Sequence, residues 1–322
     1  MSKLKSFAFC AVVLSFAFLV LSLSEAKAQT LSLSLYPPLL EVMIQPGKAI
    51  TQVYKLANQG EVDLAMTSKV ISFEPSDELG NIQISHQSSV VSHQSFLSWF
   101  SFQNANLGLG DKFLLKAGQE QEVVLKIKIP EKTLEDDYYL TLLFETIPGV
   151  FMGNQSAAQA QAKIGSNVLI TVSQSGKPLK KAEIVEFSLQ SSVFGLPIID
   201  SFDKPQFRLR VKNTGKAFFK PMGKIETTGW LGQKFFLDLL PENVLVNSLR
   251  QIRCQVNEEP GACQLNSRFL LGPYQAKVEF GLDEVAADYL AETTFWVLPW
   301  KLFLGTLTAV FSLILIKSRF DA

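Results

Sequence analysis

The amino-acid sequence predicts an all-β protein: two β-sandwich domains in series, after an N-terminal signal peptide and before one C-terminal transmembrane helix. Short apolar runs alternate with turn signals between the two ends of the chain, at a spacing of about ten residues that is typical of β-sandwiches. A polar segment with glycine and proline divides these runs into two sets, which indicates a domain boundary. No stretch between the terminal segments shows a convincing helical period.

Residues 1–28 have the pattern of a secretory signal peptide. Lys3 and Lys5 precede an apolar run from Phe7 to Leu23, and Ala26-Lys27-Ala28 then forms an A-x-A cleavage pattern. The apolar run is slightly long for a signal peptide, so an uncleaved N-terminal anchor is the alternative. We expect cleavage after Ala28 and export of the chain that follows.

The first domain, residues 29–175, is predicted to consist of short strands. Apolar and basic residues alternate from Leu125 to Ile129, which predicts a strand with one buried face. Pro130 should end that strand, because proline has no N–H to donate to a neighbouring strand. Tyr138 to Thr146 is apolar almost throughout, so we expect a central strand that is covered on both faces.

A long loop is predicted between Pro148 and Gly165, where the sequence is small, amide-rich and uncharged except for Lys163. Its apolar cluster contains Phe151 and Met152. Two interpretations stay open: the cluster folds back over the edge of the sandwich, or it is an exposed contact for a partner. On the second interpretation, Phe151 and Met152 are candidate partner contacts.

The second domain, residues 176–294, begins within the polar segment Ser173–Pro178, which is the predicted boundary. Phe207 to Lys212 and Tyr274 to Phe280 alternate between apolar and polar residues, which predicts two further strands with one buried face each. Trp230 lies between glycines in a turn-like setting. It is either packed in the core or a third candidate contact for a partner.

Two cysteines, Cys254 and Cys263, remain once the signal peptide is removed. In an oxidising compartment they should pair around a short loop. For so small a loop the entropy of chain closure predicts a stabilisation of about 2.7 kcal/mol. The disulfide therefore clips a hairpin, and two free thiols are the alternative.

The C-terminal segment, residues 295–316, is predicted to be a single transmembrane helix. Leu302 to Ile316 contains no charge, but fifteen residues rise only about 22 Å as a helix, short of a hydrocarbon thickness of roughly 30 Å. We therefore extend the span back to Phe295. A buried core helix is the alternative, although a core helix usually shows a polar stripe.

The residues that flank this segment suggest how it sits in the membrane. Trp296 and Trp300 suit the aromatic belt, and Lys301 lies where its ammonium group can reach the headgroups. Lys317 and Arg319 mark the C-terminal side as cytoplasmic. We expect a single-pass type I protein with a short cytoplasmic tail, residues 317–322, and the bulk of the chain outside the cell membrane.

The charges and motifs argue against a nucleic-acid partner and against catalysis. The chain has 30 basic and 30 acidic residues, and removal of the signal peptide leaves a net charge near −2, which gives no reason to expect nucleic acid as a partner. His86 and His93 lie in one polar segment without ligands at metal spacing, so no enzyme, metal or cofactor is predicted. Glu135-Asp136-Asp137 is interpreted as a solvated turn, with a Ca²⁺ site between the domains as the alternative.

Short motifs occur along both domains in a fixed order. In the first domain they are Glu41-Val42, Gln45-Pro46-Gly47, Leu56-Ala57-Asn58-Gln59-Gly60, Phe73-Glu74-Pro75, Ser98-Trp99-Phe100, Lys128-Ile129-Pro130, Tyr138-Tyr139 and Ala162-Lys163-Ile164-Gly165. In the second domain they are Arg210-Val211-Lys212-Asn213-Thr214-Gly215, Lys220-Pro221-Met222-Gly223 and Leu271-Gly272-Pro273-Tyr274. With these motifs and the terminal anchor, the chain resembles the WxL-interacting proteins of bacterial surfaces over nearly the whole mature sequence.

This resemblance implies a fold and two kinds of partner. It implies that both sandwiches are immunoglobulin-like, that the first contacts peptidoglycan, and that the second recognises a host or partner molecule. The sequence departs from the family pattern at Glu135-Asp136-Asp137, where a turn with glycine is favoured.

Together these observations predict a non-enzymatic, membrane-anchored bacterial cell-surface protein. Its two immunoglobulin-like domains are expected to bind cell-wall material or partner proteins, as in adhesion. The alternative is a tethered scaffold that resembles a pilus-type chaperone and holds another exported protein by strand addition.

Overall fold

The computed structural model describes residues 31–84, 96, 98–147, 161–190, 195–256, 259–267, 269–283 and 285–320. The described chain is mostly β, with a sandwich-like fold and an apolar helix at the C-terminal end. The predicted signal peptide, Phe151, Met152 and both histidines lie outside the described residues. What was expected of them stays a prediction.

Ten strands form the first half of the structure. They are β1 (Leu33–Tyr36), β2 (Leu39–Ile44), β3 (Ala49–Asn58), β4 (Leu64–Pro75), β5 (Ile82–Ile84), β6 (Phe100–Phe102), β7 (Lys112–Leu115), β8 (Glu120–Lys128), β9 (Asp136–Thr146) and β10 (Lys163–Val172). One sheet has the order β1-β3-β8-β6, and the other has the order β2-β10-β9-β4, with β5 and β7 both paired to β4. The two sheets enclose a core that includes Tyr54, Leu125 and Phe144. We call this unit the first sandwich.

Strands β8 and β9 confirm the predictions made for them. Val123, Leu125 and Ile127 are buried and alternate with more exposed neighbours along β8, and Pro130 lies just beyond its end. Residues 140–144 of β9 are all buried, so both faces of the strand are covered, and β10 and β4 pair with its two edges. The predicted loop that precedes β10 ends earlier than expected, since Lys163 already pairs with β9.

Eleven strands form the second half. They are β11 (Ala182–Leu189), β12 (Ile198–Asp200), β13 (Gln206–Asn213), β14 (Pro221–Gly229), β15 (Lys234–Asp238), β16 (Leu249–Ile252), β17 (Cys254–Val256), β18 (Glu259–Gly261), β19 (Cys263–Gln264), β20 (Gly272–Leu282) and β21 (Tyr289–Leu298). The sheet β11-β13-β16, with β19 also on β13, faces the sheet β12-β21-β20-β14-β15 across a core that includes Phe207, Phe219 and Phe280. The predicted alternation is present in β13 and β20. We call this unit the second sandwich.

The two sandwiches share the way in which their first strand changes sheets. β1 pairs antiparallel with β3, and the chain then crosses so that β2 runs parallel to β10. In the same way, β11 pairs with β13 and β12 runs parallel to β21. A proline precedes β2 and another precedes β12, and each proline carbonyl accepts a bond from the neighbouring strand: Asn167 N–H of β10 donates to Pro38 at 3.0 Å, and Trp296 N–H of β21 donates to Pro197 at 2.8 Å.

An asparagine at the end of the third strand of each sandwich has the same role. Asn58 donates to Val62 and Leu115 carbonyl oxygens and accepts the N–H of Gly60. In the second sandwich, Asn213 donates to Ala217 and Val244 carbonyl oxygens and accepts the N–H of Gly215. Both side chains are buried, so each one satisfies backbone groups that water cannot reach.

Among the described residues, helix α1 (Trp300–Phe320) is the one helix long and apolar enough to cross a membrane. None of its residues 300–317 is buried against the sandwiches. Its 21 residues rise about 31 Å, close to a hydrocarbon thickness of roughly 30 Å. The part of the helix that is apolar enough to cross a membrane, Trp300–Lys317, has 18 residues and rises about 27 Å.

The predicted span of residues 295–316 begins too early. Phe295 to Leu298 belong to β21, where Phe295 and Val297 are buried while Trp296 and Leu298 are exposed. This period of two is that of a strand, and an apolar composition alone does not distinguish it from the start of a helix. Trp296 was predicted to anchor the transmembrane helix, but it lies in the sandwich.

Lys301 bonds to the second sandwich, which the sequence did not predict. Its backbone N–H donates to Asp200 Oδ2 at 2.9 Å, and its ammonium group pairs with Asp203. Only Pro299 separates β21 from α1, so Lys301 stays within reach of the segment after β12. Lys317 is exposed near the end of α1, and the side chain of Arg319 lies outside the described part of the chain.

Candidate functional site

The last strand of the first sandwich has an edge that is only partly covered. β9 pairs with β10 from Lys163 to Val172, whereas β2 covers β10 only from Asn167 onwards. Continuing that register would place Leu35 and Tyr36 beside residues 163 and 164. Both of these residues pair with β3 instead, and Pro38 has no N–H to donate. Among the described residues, the edge at 163–166 therefore has no strand partner.

The direction of the backbone groups on this open edge follows from two hydrogen bonds. Asn167 N–H points toward β2, since it donates to the Pro38 carbonyl, while the Ala162 carbonyl points toward β9 and accepts the N–H of Thr146. The backbone N–H and C=O groups of successive residues in a strand point toward opposite neighbouring strands, as their side chains point to opposite faces. Lys163 and Gly165 therefore direct their N–H and C=O groups away from β9, as a strand that accepts an added neighbour must.

Charged side chains lie beside the open edge. Lys69 Nζ is 2.9 Å from Glu145 Oε1, and Lys163 Nζ is 3.7 Å from Glu145 Oε2. The hydrogen bond from Lys69 is the main cause that lowers the pKa of Glu145. Two ammonium groups therefore share one carboxylate, which leaves an excess of positive charge next to the edge.

The second sandwich has a similar edge on β21, whose residues before Trp296 pair with β20 and are not covered by β12. This edge is less accessible. β11 lies beside the β21 edge as β1 lies beside the β10 edge, but β11 is also bonded to β21, because Ala182 N–H donates to the hydroxyl of Tyr289 at 3.1 Å. The edge of β10 is therefore the better candidate for binding.

A polar network joins the two sandwiches and fixes their relative position. Glu41 on β2 pairs with Lys220 at 2.6 Å and also accepts a bond from Asn243. On another side of the junction, Glu78 pairs with Arg210. These bonds span from 132 to 202 positions of sequence, so they connect the first sandwich to the second.

Asp137 lies at the centre of this junction. Its carboxylate accepts bonds from Thr171 Oγ1 at 2.7 Å, from Tyr139 OH at 2.7 Å and from Phe218 N–H at 2.6 Å. Burial raises the pKa of Asp137, and these hydrogen bonds oppose the shift. The predicted solvated turn is therefore wrong at Asp137, which the second sandwich covers. Its oxygens are also engaged, which does not favour the alternative Ca²⁺ site.

An apolar contact reinforces the junction. Phe73 stacks on Tyr139 with ring centroids 5.8 Å apart, and Leu169 and Leu245 are buried with them. Tyr139 OH also accepts the N–H of Val246 at 3.0 Å, and burial is the main cause that raises the pKa of Tyr139. The junction thus combines apolar packing with hydrogen bonds between the two sandwiches.

The structure confirms the predicted disulfide between Cys254 and Cys263, with an S–S distance of 2.06 Å. It joins β17 to β19, as expected of a local clip. Trp230 is largely exposed, and its indole N–H donates to the Leu271 carbonyl at 2.8 Å. The structure thus favours the exposed interpretation of Trp230. Within the described ranges, no group of three or more His, Cys, Asp or Glu side chains is placed to hold a metal ion.

Comparison with known proteins finds similar folds at low identity. No family model and no curated protein matches the sequence. Among solved structures, the class 5 fimbriae chaperone CfaA is similar at 7% identity and a TM-score of 0.39, over 82% of this chain and 99% of that chain. The E. coli chaperone DraB is similar at 12% identity and a TM-score of 0.36, over 82% and 98%. The CupB2 chaperone of Pseudomonas aeruginosa is similar at 10% identity and a TM-score of 0.32, over 80% of this chain and 97% of that chain.

At these scores the likeness is one of overall fold, and we take no functional argument from it. The resemblance to WxL-interacting proteins stays a prediction. The open edge of β10 was not predicted, although Pro37-Pro38 in the sequence signals the break that causes it.

Proposed function

We propose that this chain is a membrane-tethered scaffold outside the cytoplasm that holds another exported polypeptide by strand addition to β10. The observation that carries the proposal is the pair of outward-facing backbone positions, Lys163 and Gly165, on an edge that β2 leaves open. Main-chain hydrogen bonds to such an edge give affinity without a sequence-specific pocket. The similar solved structures are named as chaperones, but the proposal rests on the edge.

The rest of the molecule suits this role. In the proposal, both sandwiches are immunoglobulin-like domains, exported behind a cleaved signal peptide and held by α1 as a type I span. The bonded junction around Asp137 keeps the first sandwich in a fixed orientation on the second. A partner strand would therefore be held at a defined place above the membrane.

The charges beside the edge predict the chemistry of the partner. Lys69 and Lys163 share Glu145, so an added strand meets a local excess of positive charge. Complementary charge increases both the rate and the specificity of association. We therefore expect a partner with an acidic residue or a terminal carboxylate near the added strand.

Substitution at Lys163 tests the scaffold. Lys163→Pro removes the outward N–H and leaves the pairing with β9 intact, whereas Lys163→Ala removes the same charge but keeps the N–H. The Lys163→Ala variant of the full chain, tagged and purified from envelopes in mild detergent, should retain its exported partner. The proline variant should retain about tenfold less of the partner than the alanine variant, because it lacks one main-chain hydrogen bond to the added strand. Equal retention by both variants, measured by quantitative mass spectrometry, would exclude strand addition at this edge.

Cell-wall binding is the second candidate function, and a polar groove on the first sandwich favours it. The groove is lined by Asn104, Ala105, Asn106, Leu107, Lys112, Phe113, Leu114 and Gln121, and amide side chains suit hydrogen bonding to saccharides. Sedimentation of the full chain with purified cell wall tests this function. Retention on the wall, without any co-purifying polypeptide, would replace the scaffold by a wall-binding protein.

A further inference from the structure

Exposed apolar side chains gather at the end of the second sandwich where the helix begins. Trp230 is 59% exposed and Leu231 is 65% exposed, and Phe202, Phe269 and Leu271 are also exposed. These five residues form what we call the membrane-end face. These exposed fractions are those of the described chain including α1, so the helix does not cover the five side chains.

The strand register places these residues at one end of the sandwich. Gly272, next to Leu271, pairs with Val297 just before the helix, and Gly229, next to Trp230, pairs with Tyr274. Trp230 is held there because its indole ring lies over Gly272, where a Cβ would come within 2.3 Å of Nε1.

The two phenylalanines reach the same end through the segment that follows β12. Ser201 N–H donates to the Leu298 carbonyl at 3.2 Å, and Leu270 N–H donates to the Ser201 carbonyl at 3.1 Å. Phe202 and Phe269 then meet edge to face, with ring centroids 5.4 Å apart. All five side chains therefore lie at the end of the sandwich from which the helix leaves.

The helix cannot separate from this face. Pro299 is the whole connection between β21 and α1. Asp200, which is buried, accepts the N–H of Lys301 at 2.9 Å and the N–H of Phe202 at 3.1 Å. One carboxylate thus ties the first turn of the helix to the loop that carries Phe202.

We infer that the membrane-end face rests in the headgroup region of the bilayer and places its aromatic side chains at the lipid boundary. The inference rests on the proposed membrane span and extends it to the sandwich. If α1 crosses the membrane, the face of the sandwich from which its first turn leaves lies at the membrane surface. Tryptophan and phenylalanine are suited to that depth, because they present an apolar ring at a wet boundary.

This contact would orient the whole molecule. β20 runs from Gly272 at the membrane end to Leu282, which pairs with Pro221 beside the junction residue Lys220. Ten steps along a strand span roughly 33 Å. The first sandwich, with its open edge, then stands about that far above the bilayer.

Spin labels on the full chain in phosphatidylcholine–phosphatidylglycerol vesicles test the inference. Single cysteines replace Leu231 or Phe269 on the face, Val310 within α1, and Val285 as the matched control. Val285 is 66% exposed at the opposite end of the same sandwich. Each variant also carries Cys10→Ser, and the disulfide is left intact. Accessibility to oxygen against a nickel chelate reports the depth of each label.

We expect the labels at 231 and 269 to be more accessible to oxygen than to the nickel chelate, at a shallow depth in the bilayer. The label at 310 should lie deep, and the label at 285 should be more accessible to the nickel chelate. Nickel accessibility at 231 and 269 equal to that at 285, with 310 deep, would overturn the inference and leave the span intact. Protection of 231 and 269 from both reagents would assign the face to a protein partner instead. A label at 310 that nickel reaches would overturn the span and the inference together.

Discussion

The hydroxyl of Tyr139 donates to Asp137 at 2.7 Å and accepts the N–H of Val246 from the second sandwich at 3.0 Å. The same carboxylate oxygen of Asp137 accepts the N–H of Phe218, also from the second sandwich. Two residues of β9 thus bind two backbone groups across the junction. An interface that pairs backbone groups in this way specifies one orientation of the sandwiches.

Removal of the Tyr139 hydroxyl should weaken this junction. Tyr139→Phe leaves the Val246 N–H without its partner, and an unpaired buried donor costs about 1–3 kcal/mol. We expect that loss in the free energy of unfolding from urea titrations. Tyr138→Phe is the control, because the hydroxyl of Tyr138 donates to the Leu134 carbonyl at an exposed site. Equal stability of the two variants would mean that the Tyr139 bond contributes nothing.

Asp137 should make the stability of the junction fall as the pH rises. Burial raises its folded pKa, so between the unfolded pKa of about 3.9 and the folded pKa the folded state holds more protons than the unfolded state. The contribution is complete below the unfolded pKa and is lost as the pH rises through the folded pKa. Asp137→Asn keeps one oxygen to accept from Tyr139 and Phe218, replaces the other by an amide group that can donate to the Thr171 hydroxyl, and removes the titration.

Melting at a series of pH values tests this prediction as a difference between two proteins. The unfolding midpoint of the natural chain minus that of Asp137→Asn should be largest at low pH and should decrease toward neutrality. Other carboxylates titrate in both proteins and cancel in the difference. A difference that stays constant from pH 3 to pH 8 would show that Asp137 has no raised pKa.

Sequence reasoning predicted the strands in which buried and exposed residues alternate along the chain. β8, β13 and β20 each have one buried face, so their alternation is visible in the residues themselves. The start of α1 was predicted wrongly for a related reason. Phe295 to Leu298 is apolar, and only the pairing with β20 and β12 shows that it is a strand.

The candidate site was harder to predict because it depends on topology. Lys163 was assigned to a loop, and its role as an open backbone position follows from where β2 begins. The junction pair Glu41 and Lys220 lies 179 positions apart, so no local pattern brings the two residues together. Trp230 was singled out from the sequence because the glycines beside it are its neighbours in the chain. Most of the other residues of the membrane-end face are distant from Trp230 in the sequence, so no local pattern predicts that they gather there.

The buried asparagines should be required for the stability of each sandwich. Asn213→Ala leaves the carbonyl groups of Ala217 and Val244 and the N–H of Gly215 unpaired, at a cost of about 1–3 kcal/mol. We expect a similar loss for Asn58→Ala, measured by urea unfolding. Thr214→Ala, at an exposed neighbouring position, should change the free energy of unfolding by less than about 0.5 kcal/mol. If the threonine variant lost as much as Asn213→Ala, the asparagine bonds would not be the cause.

Asp200 should hold the first turn of α1 on the second sandwich. Asp200→Ala removes the acceptor of the Lys301 N–H, and loss of such a cap costs about 0.5–2 kcal/mol. Hydrogen exchange at the Lys301 and Phe202 amides should therefore become faster in the full chain held in lipid. Asp203→Ala removes only the exposed ion pair with Lys301, which is worth little in water, so these amides should keep their protection. Unchanged exchange in Asp200→Ala would mean that the single-residue connection at Pro299 is enough to fix the helix.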